Sequence, residues 1–564
     1  MLHAIRPTVT MNQIKGASEL DAMNAPQAEA PRTELDFQID PRSFHAFEFQ
    51  GDTLLFDRST GGTFSVDDSA FRVLSLVEAG YDIRSACAVQ KRFTPELDEN
   101  VLIDTLRSLW RSGLFRFAPV DYRQQEALID ELWRHKPRRI QMLMAQGCNL
   151  GCRYCYAWRN GSNQLETLMP WEVAKQSIDY LVKRSEERRE LQITFFGGEP
   201  LLNLPIIRRT VEYCRQLEEV SEKRFVFELI TNGTLLSREV ASWLVAERFQ
   251  LMVSLDGEKD MHNFNRPAMD GSDLYEVILD NAKHVNEAYA RAGLPAPKIR
   301  ANLTTKYLEQ YKTGRFLASQ GFTVIGVGAI EPLPHGDSSP SSLTETQMDQ
   351  LHEEAMTGML ESLRTVIRGQ ALDLFARRQL KKWMSVPTPQ ALKGITCGIG
   401  RNTQVIDNKG NIYPCHRYEG MRAYIIGDVF NGLDYQKTVA YYRKVNQNAT
   451  NRCHSCWIRD YCAGGCAWLL SKKDGHLADP TERECDRRRT SMERALWLRQ
   501  KVRAHFPNRF KNGDEIDLDS WDWGAANECN EAHDELVTQA VTTELNGSCG
   551  SGTCGNCGSG GRAD

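Results

Sequence analysis

The sequence predicts an α/β protein: a partial, TIM-like (β/α)6 barrel between a small N-terminal winged-helix-like unit and a cysteine-rich C-terminal domain. Three observations carry the prediction. Apolar runs near 139–145, 191–196, 224–231, 249–255, 298–304 and 323–328 alternate with helical stretches such as 170–184, 236–247, 274–290 and 309–319, as in a parallel sheet with crossover helices. Short alternating runs precede them, and most of the 16 cysteines fall in clusters instead of being scattered.

A chain of 564 residues exceeds what one core organises, so several domains are expected. We read a polar leader over 1–42, the winged-helix-like unit over 43–120 and the barrel over 121–344. A charged helical bridge follows over 345–390, then the cysteine-rich domain over 391–510 and an extension over 511–564. The net charge of −5 lacks the basic excess of a nucleic-acid binder. No apolar run approaches the roughly 20 residues that cross a bilayer, and the first residues lack the apolar core of a secretion signal. A cytoplasmic protein with neither nucleic-acid nor membrane partners is expected. There thiols stay reduced, so clustered cysteines point to metal or redox chemistry over disulfides.

In the N-terminal unit, HAFEFQ, TLLFD and TFSV are separated by Gln50-Gly51-Asp52 and Gly61-Gly62, the pattern of short strands joined by tight turns. Asp67-Asp68-Ser69 is a helix-start signal before the stripe Ala70, Phe71, Leu74 and Val77; a later stripe of Leu102, Leu106 and Leu109 ends at Gly113.

The segment after the first barrel strand reads CNLGCRYCY, placing Cys148, Cys152 and Cys155 in a C-x3-C-x2-C spacing with Tyr154 before the last. Three thiolates anchor three irons of a cubane and leave the fourth open to a ligand; a zinc knuckle or an electron-transfer cluster is the plainer alternative. Barrels of this kind carry chemistry at the carboxyl ends of their strands, where this loop falls. The segment resembles the signature of the radical S-adenosylmethionine (SAM) superfamily. There the open iron of a 4Fe-4S cluster binds SAM, which is cleaved to a 5'-deoxyadenosyl radical. Gly197-Gly198-Glu199-Pro200 resembles that family's GGEP, whose glycines let the backbone approach the methionine amino group. The resemblance also implies SAM contacts from Asn232, from Ser254 and Arg266 at the carboxylate, and from Asn302 and Thr304 near the ribose. Taken alone, each of these polar residues equally suits a turn or a cap.

Beyond the bridge the spacing is C-x12-G-x4-C at Cys397, Gly410 and Cys415, then C-x2-C-x5-C-x3-C at Cys453, Cys456, Cys462 and Cys466, and finally Cys485. It resembles the SPASM extension of radical SAM enzymes acting on peptides and proteins, which holds two auxiliary 4Fe-4S clusters, three clusters in all. By that resemblance Cys453, Cys456, Cys462 and Cys485 ligate one, leaving Cys397, Cys415 and Cys466 for the other. Sulfatase-maturing relatives carry a basic aspartate after the cysteine equivalent to Cys415; His416 stands here, either as a proton acceptor or as a structural hydrogen-bonding group.

Residues 43–118 resemble the precursor-binding domain of peptide-modifying systems, known in free form from the pyrroloquinoline quinone pathway, which adds an extended leader peptide to a sheet edge. The expected function is a radical SAM/SPASM maturase that crosslinks a ribosomally made peptide or protein through a thioether or carbon–carbon bond, drawing electrons from flavodoxin or ferredoxin. Alternatives are side-chain oxidation of the formylglycine type, thioether formation in a quinohemoprotein amine dehydrogenase subunit, and a non-enzymatic iron-sulfur carrier. The carrier reading rests on the glycine-rich tail with Cys549, Cys554 and Cys557, a segment whose composition predicts disorder.

Overall fold

A computed structural model describes residues 37–116, 129, 133–156, 167–330, 343–384, 400, 403–447, 453, 456–462, 464–472, 475–506, 510–511 and 515–516. Cys397, Cys529, the tail cysteines and most of the connector before Trp133 lie outside the described residues.

The N-terminal unit is a three-stranded antiparallel sheet of β1 (Phe44–Phe49), β2 (Asp52–Asp57) and β3 (Thr63–Ser65), followed by α1 (Asp68–Glu78), α2 (Ile83–Lys91) and α3 (Glu99–Arg111). Gln50 and Gly51, at φ 52° and 77°, close the β1–β2 hairpin, as a two-residue turn requires. Each helix opens on an aspartate whose carboxylate accepts from backbone N–H groups of the first turn: Asp67 from Ala70, Asp82 from Ser85, and Asp98 from Asn100 and Val101. Such caps contribute about 1 kcal/mol each. Strand alternation divides the sheet's apolar residues between two cores. Phe44 and Leu55 pack with Val73, Leu74, Ile103 and Leu106 of the unit's own helices, whereas Phe47, Leu54 and Phe56 join the core of the main body.

The main body is one ten-stranded sheet. Its parallel strands are β4 (Arg139–Ala145), β5 (Glu190–Gly197), β6 (Arg224–Thr231), β7 (Gln250–Ser254), β8 (Lys298–Leu303) and β9 (Val324–Ala329), side by side in sequence order. Between them run α4 (Trp171–Ser185), α5 (Leu204–Val220), α6 (Arg238–Ala246), α7 (Lys259–Asn265), α8 (Tyr275–Arg291) and α9 (Gln310–Ser319). The expected bridge is two helices, α10 (Glu345–Ile367) and α11 (Leu374–Met384). The sheet continues past β4 through β10 (Thr403–Ile406), β11 (Asn411–Tyr413), β12 (Gly427–Asp428) and β13 (Gly432–Leu433), followed by α12 (Tyr435–Gln447) and α13 (Glu482–His505). Strand β10 lies parallel to β4, with Thr403 opposite Arg139 and Ile406 opposite Met142. The cysteine-rich region is thereby fused to the barrel sheet. Among the described residues no helix is long and apolar enough to cross a membrane.

The N-terminal sheet docks on α13 and on the segment bearing Cys456 and Cys462. The His45 ring lies between two carboxylates, Nδ1 at 2.8 Å from Glu78 and Nε2 at 2.9 Å from Glu493 of α13. It stacks on Trp457 at 4.0 Å between centroids. Phe56 packs edge-on against Trp457 and Tyr461, and Trp497 Nε1 donates to Asp52 at 2.7 Å. Burial alone would favour the neutral ring, but the two carboxylates outweigh it and raise the His45 pKa from 6.5 to about 9. The linked stabilisation is therefore complete below about pH 6.5 and lost as pH rises through about 9. His45→Gln is expected to cost about 2 kcal/mol at pH 6. Thermal melts of the two proteins should converge above pH 9, and a gap independent of pH would refute the ion-pair assignment.

Candidate active site

The loop after β4 carries Cys148, Cys152 and Cys155 and is fixed by backbone bonds across the barrel mouth. Gly151 N donates to Pro267 O at 2.8 Å, and Arg153 N donates to Asn265 O at 3.0 Å. Opposite stands the end of β5, where Gly198 N donates to Ala145 O at 2.7 Å and Glu199 N to Gly147 O at 3.0 Å. A Cβ on Gly197 would sit 2.4 Å from the Ala145 carbonyl oxygen, and one on Gly198 1.9 Å from that of Gly147. The two glycines are thus required by the approach of β5 to the cysteine loop itself. Gly198→Ala must push that loop away, at an expected cost of about 3 kcal/mol. The check is iron bound per chain after reconstitution, expected to fall together with the thermal midpoint.

The loop and the strand ends enclose a cavity lined by the three cysteines, Tyr154, Phe196, Gly197, Gly198, Asn232, Ser254 and Arg266, among others. Donors converge on its sulfurs: Leu150 N at 3.4 Å and Asn232 Nδ2 at 3.5 Å from Cys148 Sγ, and Arg266 Nη1 at 3.9 Å from Cys152 Sγ. Burial raises the Cys148 thiol to about 12 and pushes Cys152 up as well, so both are protonated at neutral pH until a metal displaces the proton. Three sulfurs around one cavity, with N–H donors aimed at those of Cys148 and Cys152, suit the ligation of an iron-sulfur cluster.

Asp256, just past β7 in the segment Ser254-Leu255-Asp256-Gly257, organises the far wall, a role that the sequence alone did not assign to it. Fully buried, its carboxylate accepts from Tyr154 Oη at 2.8 Å and Asn302 N at 2.9 Å and pairs with Arg266 Nε at 3.0 Å. The guanidinium stands over the Tyr154 ring, 5.3 Å from its centre, holding one edge toward the cavity. The available clue was an aspartate at a strand end ten residues before an arginine.

Glu199, Pro200, Asn302 and Thr304, also expected at the cofactor, are not among the residues that line the cavity. Glu199 is fully buried behind the glycine wall. Its oxygens accept from Leu201 N at 3.0 Å, Thr231 Oγ1 at 2.8 Å and Asn232 N at 2.8 Å, so it positions Asn232 instead of facing the cavity. Burial raises its pKa from 4.5 to about 7 despite those donors. Pro200 is buried at the start of a short 3-10 turn. Thr304 is buried and donates to Asn265 Oδ1 at 2.8 Å. Asn302 is held through its backbone to Asp256 and Asn265, and its side chain bonds the Tyr154 hydroxyl of the cavity wall.

The second cysteine region faces this cavity through aromatic rings. Phe196, a cavity residue, packs 5.2 Å from the His416 ring, and Tyr156 lies 5.7 Å from His416 and 6.2 Å from Trp468. Burial, reinforced by the Arg139 charge, lowers the His416 pKa to about 4. The ring is then neutral at pH 7 and a weak proton acceptor. Arg488 Nη1 lies 3.8 Å from Cys462 Sγ and Arg417 Nη1 3.7 Å from Cys466 Sγ. Cys453 and Cys456 both act on the Cys485 thiol, and Cys462 on Cys456, so these four form one neighbourhood. Glu419, unmarked in the sequence, accepts from Gln146 Nε2 at 3.2 Å and ties this region to the cysteine loop.

The sequence profile of the Radical SAM superfamily matches residues 142–293. The radical SAM cyclopropyl synthase TigE of Paramaledivibacter caminithermalis is 20% identical over 467 residues, covering 77% of this chain and 90% of that protein. A cysteine-type anaerobic sulfatase-maturating enzyme of Clostridium perfringens is 30% identical over 170 residues, 26% of this chain and 45% of its own length. The chain thus spans less than half the length of that second relative. Among solved structures, anSMEcpe with bound AdoMet and Cp18Cys peptide superposes with a TM-score of 0.52 at 21% identity, covering 65% of this chain and 98% of that one, and so shares its fold. Residues 142–293, with the three-cysteine loop presented at the end of the first parallel strand, form a radical SAM domain, and the chain is an enzyme built around it.

Proposed function

We propose that this enzyme is a maturase that modifies a ribosomally made peptide or protein, forming a carbon–carbon or thioether crosslink by oxidation. Bound at the three-cysteine loop, SAM and a 4Fe-4S cluster supply one-electron chemistry that takes a hydrogen atom from an unreactive carbon. The chain's own residues do the rest. Tyr154, Asp256 and Arg266 form a fixed charged wall, Ser254 and Arg266 would hold the SAM carboxylate, and Asn232 with the Leu150 N–H holds the Cys148 sulfur.

One observation carries the reading: the cavity of the first cysteines abuts the second cysteine region through Phe196, His416 and Tyr156. An electron leaving a substrate radical in that cavity would have a short path to auxiliary clusters on Cys453, Cys456, Cys462 and Cys485 and on Cys397, Cys415 and Cys466. The described thiols of both sets are partly exposed. TigE, a cyclopropyl synthase by name, is matched over most of its length, which favours carbon–carbon bond formation. Oxidation of the formylglycine type is disfavoured, because His416 stands where the sulfatase-maturing enzymes carry the aspartate base.

The N-terminal unit is the proposed precursor-binding domain. Strand β3 pairs only with β2 among the described residues, leaving an outer edge for an extended leader. The test is anaerobic incubation of the reconstituted enzyme with SAM, reductant and the small peptides encoded beside it. Loss of two hydrogens from a peptide in step with 5'-deoxyadenosine formation supports the proposal; SAM cleavage with every peptide mass unchanged refutes it for those peptides.

A further inference from the structure

The inner face of the barrel carries more positive charge than its carboxylates and sulfurs use. Strand β8 alternates Ile299, Ala301 and Leu303, which are buried in the core, with Lys298, Arg300 and Asn302 on the other face. Arg300 sits opposite Ser254, a cavity residue, in the β7–β8 register. Its guanidinium lies against Gly328 of β9, so closely that a Cβ there would be 3.0 Å from Nη1 and 3.1 Å from Nη2. The glycine therefore makes room for this arginine.

The neighbouring cations each have an assignment. Arg266 pairs with Asp256 and approaches Cys152. Arg139 pairs with Glu228 at 2.9 Å. Arg417 approaches Cys466 and stacks over Trp468 at 5.2 Å. Arg300 and Lys382 of α11 differ: among the described residues neither charged head forms an ion pair or hydrogen bond. Desolvation lowers the pKa of Arg300, with Arg266 and Arg417 acting in the same direction, although Asp256 and Tyr154 oppose them. Desolvation and the Arg300 charge lower that of Lys382. Arg300 is half-buried and Lys382 is exposed beside it; a partly buried cation without a counter-charge costs folding energy, and the cost is recovered when an anion arrives at it.

We propose that Arg300, with the exposed Lys382 at its margin, forms a cationic subsite that receives a carboxylate of the substrate peptide beside the reaction cavity. The inference rests on the maturase reading and narrows it to substrates with an acidic side chain or a terminal carboxylate at or near the residue attacked. Gly326 and Gly328, on the same face of β9, leave the space that the Lys298 and Arg300 side chains occupy.

The test uses the reconstituted, SAM-bound full chain and two uncharged-backbone probes, N-acetyl-glutamate α-methylamide and N-acetyl-glutamine α-methylamide, with affinities measured by calorimetry. The carboxylate probe should bind about 10- to 100-fold more tightly than its amide twin. Arg300→Gln should bring the ratio near one, Lys382→Gln should reduce it, and Arg300→Lys should retain part of it. Equal affinities in the wild type, no binding of either probe, or a ratio that survives Arg300→Gln would overturn the subsite. So would an Arg300→Gln protein that loses SAM affinity and keeps the probe ratio, since Arg300 would then serve the cofactor. A wild type that shows the ratio but never modifies a peptide would defeat the maturase reading alone.

Discussion

Cys152→Ala is expected to abolish SAM cleavage, lowering 5'-deoxyadenosine formation by about 1,000-fold or more, while the chain stays folded. Cys152 is one of three sulfurs around the cavity and the one nearest Arg266. Without it a cubane cluster retains two protein ligands, and no neighbouring thiol belongs to the same loop. The main core of β4 to β9 does not depend on this side chain, because Cys152 only packs against its margin. Circular dichroism of the apo-proteins should therefore match, with the difference confined to iron content and turnover. A Cys152→Ala protein that cleaves SAM at the wild-type rate would remove this loop from the reaction.

Asp256→Asn is expected to have the largest effect of any change outside the cysteines. The carboxylate accepts from Tyr154 Oη and Asn302 N and neutralises the buried Arg266. An amide presents an NH2 group to at least one of those donors and leaves the guanidinium without its counter-charge. Breaking a buried pair from one side costs about 3–5 kcal/mol. The loss should appear both as a lower denaturation midpoint and as weaker SAM binding, because Arg266 and Tyr154 then lose their fixed orientation. Asp256→Glu, which restores the charge at a shifted position, should recover more stability than SAM affinity. Equal denaturation midpoints for wild type and Asp256→Asn would show that Arg266 draws its counter-charge from elsewhere.

The parallel barrel was legible because each strand is a short apolar run followed by a helical stripe, and local periodicity suffices to mark both. The N-terminal hairpin was legible for the same reason, with Gln50-Gly51 supplying the positive φ values of its turn. The fusion of the cysteine-rich region to the barrel was not legible. Strand β10 is only four residues long and pairs with β4, some 260 positions earlier in the chain. No local pattern encodes a partner that distant. The site shows the same division. Spacing identified Cys148, Cys152 and Cys155, since a loop's cysteines carry their geometry in the sequence. The roles of polar residues depend on which strand ends meet, which is why the bonds that Glu199, Thr304 and Asp256 make to neighbouring segments, and that of Glu419 to the cysteine loop, could not be read from local pattern. Arg300 gave no signal at all: it is one charged residue in an alternating strand, distinguished only by the absence of a partner in space.

The docking of the N-terminal sheet against Trp457 and Tyr461 has a consequence for any peptide held there. These aromatics flank Cys456 and Cys462, so a load on β1 or β2 bears directly on the segment that carries these two cysteines. The His45 ion pairs keep that contact charged throughout the physiological range.

The central claim is that the loop of Cys148, Cys152 and Cys155 holds a 4Fe-4S cluster with one iron open to SAM. It is tested most directly by electron paramagnetic resonance on a reduced variant in which Cys397, Cys415, Cys453, Cys456, Cys462, Cys466 and Cys485 are all alanine, recorded with and without SAM. The account predicts about four irons per chain and a cluster spectrum that changes when SAM is added. A spectrum indifferent to SAM, or a chain that takes up zinc in place of iron and sulfide, would contradict it.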